Sequence, residues 1–150
     1  MKPPLAILLF LGATLITACA TDVERIPPLS RLKEIRLSAG PGWSLSIGPD
    51  GSAAIGYGSN GSDFASVPAG TFDFEQVYRS LAPVVRPTGN MRESFTVAFY
   101  EREVTIGYSL YTDNANVILD LFTTAKQKCV PPDKARIDEL WERQPPSLNQ

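Results

Sequence analysis

Alternating apolar and polar residues predict a β-hairpin in the first third of the chain. In Trp43–Ile47 every second residue is apolar, which is the period of a strand with one buried face. Gly48–Gly51 then has a composition typical of a tight turn, in which Asp50 bonds back to the backbone and Gly51 adopts positive φ. Ser52–Tyr57 alternates again, so we expect it to return antiparallel to the first strand.

The same alternation predicts a second hairpin and two further strands. Phe95–Phe99 and Val104–Leu110 carry apolar residues at every second position, on either side of Glu101-Arg102-Glu103. Apolar residues in Arg31–Leu37 predict a first strand ahead of both hairpins. Phe64–Val67 is short and lies between a glycine-rich loop and a proline, which favours an edge strand.

Three segments have apolar residues at the spacing of amphipathic helices. Thr71 and Asp113 are the expected N-caps of the first two, and Asp133 begins the third. Pro83 and Pro131-Pro132 end the first two helices, because proline removes a backbone donor and clashes with the preceding turn. The apolar faces comprise Phe74, Val77, Tyr78 and Leu81, then Val117, Ile118, Leu121, Phe122 and Ala125, and finally Ile137, Leu140 and Trp141.

This order of elements predicts one α+β domain over residues 30–144, followed by a flexible tail over 145–150. Hairpins imply antiparallel pairing, and an amphipathic helix needs one face of a sheet to cover. We therefore expect two β-hairpins to form one sheet, covered by two amphipathic helices, with a short helix at the C-terminal end.

The start of the chain has the features of an export signal. The apolar run Leu5–Ala18 follows Met1-Lys2 and is too short to span a membrane, which takes roughly 20 apolar residues. It ends in Ile16-Thr17-Ala18-Cys19, an aliphatic residue, two small residues and a cysteine. This stretch resembles the lipobox of bacterial lipoprotein precursors in residue type, order and distance from Met1. The alternatives are a plain secreted protein or an uncleaved anchor with a cysteine at this position.

The resemblance implies a location for the protein. In lipoproteins of this type Cys19 would receive a diacylglyceryl group, residues 1–18 would be removed, and 19–29 would form the lipidated N-terminus and tether. Several acyl chains make such an anchor stable. By analogy, Ala20 rather than aspartate after the cysteine favours the outer membrane, with the domain facing the periplasm.

Composition excludes several classes of function. The chain has 14 Lys and Arg against 16 Asp and Glu, and no basic run, so nucleic acid is not an expected partner. It has no histidine, which excludes histidine-dependent catalysis and the common zinc sites. We predict neither a cofactor nor a metal. With Cys19 lipidated, Cys129 has no intramolecular partner, and its place on a helical apolar face favours a buried thiol over a reactive one.

Two further motifs have structural explanations. Gly56–Gly61 spells GxGxxG, but a dinucleotide site needs a helix to begin at the last glycine, and a strand with a proline follows here. We interpret it as a loop. Asp63, Asp73 and Glu75 could pair as acids for hydrolysis, but helix capping and the helix dipole account for two of them.

No catalytic residues are therefore predicted, and the expected function is that of a non-enzymatic protein-binding module in the cell envelope. Tyr57, Tyr100 and Tyr111 are the candidate interaction surface, because tyrosine is favoured in protein interfaces. Two versions stay open: an immunity-type protein that neutralises an envelope-targeted toxin, and an accessory subunit of an envelope assembly. The rival is a carboxylate-dependent hydrolase of envelope polymers, which would need two close acids in a cleft.

Overall fold

The computed structural model of the 150-residue chain describes residues 26–40, 42–58, 63–87, 95–100, 105–110 and 115–146. The turn Glu101-Arg102-Glu103 and the helix cap Asp113 lie outside these ranges. Within them a short 3₁₀ helix, Leu29–Arg31, precedes seven strands and three helices. The strands are β1 Glu34–Ala39, β2 Trp43–Ile47, β3 Ala53–Tyr57, β4 Asp63–Val67, β5 Val85–Pro87, β6 Phe95–Tyr100 and β7 Thr105–Leu110. The helices are α1 Phe74–Leu81, α2 Ala115–Lys128 and α3 Lys134–Arg143.

The described strands form one antiparallel sheet in the order β4-β3-β2-β1-β6-β7-β5. The α+β class is thus confirmed, and both predicted hairpins, β2–β3 and β6–β7, are present. The two further strands that the sequence predicts are also present: the first strand, expected within Arg31–Leu37, is β1, and the edge strand, expected over Phe64–Val67, is β4. β1 pairs with β2 on one side and with β6 on the other, which joins the hairpins into one sheet. β4 lies at one end of the sheet, whereas β5, which the pattern did not predict, pairs with β7 at the other.

The β2–β3 turn forms as its residue types predict. The Gly51 amide donates to the Gly48 carbonyl oxygen at 3.0 Å, and Gly51 has φ of +75°. Asp50 Oδ1 accepts hydrogen bonds from the hydroxyl and the backbone amide of Ser52, at 2.6 and 3.0 Å. These bonds favour the charged carboxylate and lower the pKa of Asp50.

The N-cap of α1 is Asp73, so the prediction of Thr71 was wrong. Asp73 has extended backbone, with φ −81° and ψ 103°, and its Oδ1 accepts from the amide of Gln76 at 3.0 Å. A capping side chain reaches the amide two or three residues further on. Thr71 lies too early for that, and its own amide donates to Pro68 at 3.3 Å.

The core lies between one face of the sheet and the helices. Alternate residues of β1 and β2, such as Leu37 and Leu45, are fully buried and face the same side. Helix α2 contributes Ile118 and Phe122 to this core, and α3 contributes Ile137. Each large apolar side chain buried in this way stabilises the fold by about 1.5–3 kcal/mol.

Residues at both ends of the described chain pack onto the domain. Ile26 and Leu29, from the predicted tether, are partly buried against the core, and the Tyr78 hydroxyl donates to the Pro27 carbonyl oxygen at 2.9 Å. At the other end, Trp43 Nε1 donates to the Gln144 carbonyl oxygen at 2.6 Å, and Pro146 is buried.

Candidate functional site

The predicted lipidation residue Cys19 and the candidate interface residue Tyr111 both lie outside the described residues, as do positions 1–18 of the predicted signal peptide. None of the helices in the described ranges has the length and the apolar composition that a membrane span requires. The lipid anchor and the contribution of Tyr111 therefore stay predictions from the sequence.

Tyr57 lies on the core-facing side of the sheet, at the end of β3. Its ring packs edge-on against Trp43, with centroids 5.2 Å apart, and its hydroxyl donates to Gln144 Oε1. Trp141 also packs edge-on against Trp43, with ring centroids 5.1 Å apart. Tyr57 thus helps to hold Gln144, which directly follows α3, against the sheet.

Tyr100 lies on the opposite face of the sheet, beside Arg36. The Arg36 guanidinium sits 4.8 Å from the centre of the Tyr100 ring, and its Nη1 donates to the Tyr100 hydroxyl at 3.3 Å. Nη2 of Arg36 also forms an ion pair with Glu34 at 3.1 Å. The outer face therefore carries a small polar cluster around one aromatic ring.

The structure does not bring Tyr57 and Tyr100 together. Through the strand register, Tyr57 is level with Phe95, which is at the opposite end of β6 from Tyr100. Two strands, β2 and β1, also separate β3 from β6. Strand spacing and rise place the two tyrosines on the order of 20 Å apart, on opposite faces of the sheet.

A groove of about 380 Å³ runs between α1 and α2, and its volume lies in the range of ligand-binding clefts. Each helix lines it with residues spaced i, i+3, i+4 and i+7, which form one face of a helix. On α1 and its cap these are Asp73, Gln76, Val77 and Ser80, and on α2 they are Val117, Asp120, Leu121 and Thr124. Thr71 and Phe72 close the end of the groove.

The groove has an apolar floor and a polar rim. Phe72 and Val77 are buried, whereas Val117 and Leu121 are half-buried and pack on the core from one side. The sequence predicted Val117 and Leu121 on the same apolar face as Ile118. They lie instead on the flank of that face, because the buried stripe of α2 runs through Ala115, Ile118, Phe122 and Ala125.

Two aspartates, and no lysine or arginine, are found among the described residues that line the groove. Both Asp73 and Asp120 are exposed. Asp73 uses Oδ1 to cap α1, and Asp120 has no hydrogen bond or ion pair within the described ranges. The rim of the groove is consequently acidic, and no described lysine or arginine pairs with either aspartate.

The three acids considered as a catalytic group have separate structural roles. Asp63 Oδ1 accepts from Arg136 at 3.3 Å, Asp73 caps α1, and Glu75 pairs with Arg79 one helical turn along. The GxGxxG motif also has a structural role, since Gly56 and Tyr57 belong to β3 and Asp63 begins β4. Residues 59–62 lie outside the described ranges, so the interpretation of the rest of this motif as a loop stays a prediction.

Cys129 is buried, with 4% of its surface exposed. Its Sγ donates to the Lys126 carbonyl oxygen at 3.1 Å. Burial raises the pKa of the Cys129 thiol, which keeps it neutral and poorly nucleophilic.

Phe64 is an exposed aromatic residue that sequence reasoning overlooked. It is 57% exposed on the outer face of edge strand β4, and Val130, at 38%, lies beside the same strand because its amide donates to Ser66 at 3.0 Å. Alternation contained the signal, because Phe64 is out of phase with the buried Ala65 and Val67. Neither Phe64 nor Val130 lines the groove.

Within the described ranges, no three His, Cys, Asp or Glu residues are grouped so that they could hold a metal ion. Comparison of the whole chain with protein-family models, with curated proteins and with solved structures finds no match. The functional interpretation therefore rests on the sequence and on the geometry of the domain.

Proposed function

We propose that this protein is a bacterial lipoprotein that is anchored in the outer membrane through Cys19 and binds a protein partner in the periplasm without catalysing a reaction. The stretch Ile16-Thr17-Ala18-Cys19 supports the anchor. Only residues 20–25 separate that cysteine from Ile26, which packs on the domain. Such a segment spans at most about 25 Å, so the domain would be held close to the membrane surface.

The groove between α1 and α2 is the observation that carries the proposal. An apolar centre bordered by polar side chains is the composition of protein interfaces. Val117 and Leu121 are half-buried in the isolated chain, so a partner that covers them removes further apolar surface from water. Two helix faces with the same spacing also form a regular surface on which a partner element can pack.

A carboxylate hydrolase is the second candidate, because Asp73 and Asp120 line the same groove. A glycosidase of this kind needs one carboxylic acid that stays protonated, which burial in an apolar pocket normally provides. Both aspartates are exposed, and Asp73 already caps a helix. These features favour binding over hydrolysis.

Site-specific photo-crosslinking in the cell envelope tests the proposal. A photoreactive amino acid at Gln76 or Thr124, on the groove rim, should join the full-length lipoprotein to one discrete protein. The same group at Ser66, exposed on the outer face of β4, is the matched control and should give no such adduct. The identity of the adduct separates the two versions, since an immunity-type protein captures a delivered toxin and an accessory subunit captures a resident envelope protein.

A parallel assay with purified cell wall addresses the hydrolase. The lipoprotein should release no soluble sugar or peptide fragments. Release of fragments that stops in Asp120→Asn would establish the hydrolase in place of the binding function. An adduct from Ser66 but from neither groove position would show that binding occurs elsewhere on the domain.

A further inference from the structure

The dimensions of the groove specify the kind of element that it accepts. Residues i to i+7 along α1 and along α2 extend for about 10 Å, or two helical turns. A helix that lies between two others fills such a space with side chains at its own i, i+3, i+4 and i+7 positions. The floor made by Phe72, Val77 and Leu121 would then contact the apolar face of that helix.

The charges on the rim specify the other face of the occupant. Several acids on the described surface form ion pairs: Glu75 with Arg79, Asp138 with Lys126 and Lys134, and Glu139 with Arg136 and Arg143. Asp120 forms no ion pair among the described residues, as is also true of Asp50, Asp133 and Glu142. Asp120 differs from those three because it lines a groove with a second aspartate and without a described basic side chain. Lysine or arginine on an incoming helix would supply the missing charge.

We propose that the groove between α1 and α2 binds a cationic amphipathic helix of the protein partner, with its apolar face on Phe72, Val77, Val117 and Leu121 and its basic residues beside Asp73 and Asp120. This inference rests on the proposed binding function and names the class of its partner. The charge and the apolar stripe together describe an amphipathic helix, and under the proposed binding function this helix belongs to another protein.

The test uses the full lipidated protein in nanodiscs of phosphatidylcholine, with empty nanodiscs as the reference for membrane binding. The probe is a synthetic helix of about 14 residues, near the shortest length that is helical in water, with leucine on one face and lysine on the other. A second peptide carries glutamate in place of every lysine. Wild-type protein should bind the lysine peptide above the empty-disc signal and bind the glutamate peptide at least about tenfold more weakly.

Matched variants locate the binding. Asp120→Lys should weaken binding of the lysine peptide about fivefold. Glu142→Lys changes the net charge equally at another exposed acid, outside the groove, and should leave binding within about twofold. Leu121→Ser should weaken binding about tenfold through the lost apolar contact, whereas Phe64→Ser, on the outer face, should have no effect.

Three results would overturn the inference: no binding above empty nanodiscs at about 1 mM peptide, equal binding of both peptides, or equal losses in Asp120→Lys and Glu142→Lys. The crosslinking experiment separates these failures from failure of the proposed function. An envelope protein joined at Thr124, together with a failed peptide test, would retain the binding function and reject the cationic helix.

Discussion

Replacing Gly51 with alanine tests how the position of the groove wall is fixed. Gly51 belongs to the β2–β3 turn, where the backbone meets the segment that leads into α1. The Gly70 amide donates to Asp50 at 2.9 Å, and the Phe72 amide donates to the Gly51 carbonyl oxygen at 3.1 Å. Phe72 lines the groove, so the turn and the groove are coupled through these bonds.

An alanine at position 51 would meet two obstacles. Its Cβ would overlap the Phe72 carbonyl oxygen and lie 3.0 Å from the Gly70 nitrogen. The backbone also has φ of +75°, which an L-residue adopts at a cost of about 1–2 kcal/mol. If the segment at 70–72 moves away, two hydrogen bonds worth about 0.5–1.5 kcal/mol each are weakened. We expect a total loss of about 2–5 kcal/mol from a domain stability of about 5–15 kcal/mol.

Gly70→Ala is the matched control. Gly70 has almost the same dihedral, φ of +74°, but a Cβ built there meets no atom within 4 Å. This variant should therefore lose only the strain of about 1–2 kcal/mol. The difference between the two variants isolates the contact of the turn with Phe72.

Urea denaturation followed by tryptophan fluorescence measures both losses, because Trp43 is buried in the core and Trp141 packs against it. In thermal unfolding, Gly51→Ala should lower Tm by about 8–20 °C and Gly70→Ala by about 4–8 °C. Equal losses in the two variants would refute the reasoning, since the contact with Phe72 would then contribute nothing.

Three further predictions follow from single residues. Cys19→Ser should abolish incorporation of labelled palmitate and cause the precursor to accumulate; undiminished labelling would contradict the lipid anchor. Cys129→Ala should lower stability by about 1–3 kcal/mol through lost packing while function is kept, and loss of function at unchanged Tm would instead indicate a reactive thiol. Although desolvation opposes it, hydrogen bonds and charge from Lys134 and Lys126 lower the pKa of Asp138. A carboxyl whose pKa is lowered by folding stabilises the fold at pH values above its unfolded-state pKa. This stabilisation is lost as pH falls through the folded-state pKa. Asp138→Asn should therefore reduce the urea midpoint near neutral pH, and the gap from wild type should close in acid; a constant gap would exclude this linkage.

Local sequence patterns were sufficient to predict most of the individual strands and helices. Strand β2 has the bounds that strict alternation predicted, Trp43–Ile47, and the turn at Gly48–Gly51 has the dihedral that its glycine suggested. Such features depend on neighbouring residues alone, because side-chain period and allowed φ are properties of a short segment. The α+β class followed from the order of these elements.

Tertiary structure decided how the elements were placed relative to one another. The three residues of β5 are too few to show a period, and only pairing with β7 makes them a strand. Asp73 rather than Thr71 caps α1 because the Phe72 segment is bonded to the β2–β3 turn. The register of long-range pairs, not the local alternation, sets Tyr57 and Tyr100 at distant positions.

The groove shows most clearly what local sequence patterns could not predict. Helical spacing assigned Val117 and Leu121 to the apolar face of α2, but spacing alone does not say how wide a stripe the neighbouring elements will cover. The core covers the stripe through Ile118 and Phe122, and α1 lies far enough away to leave its flank open. The sequence by itself determined which residues are apolar, whereas the distance between two helices that are remote in the chain decided which of them a partner can reach.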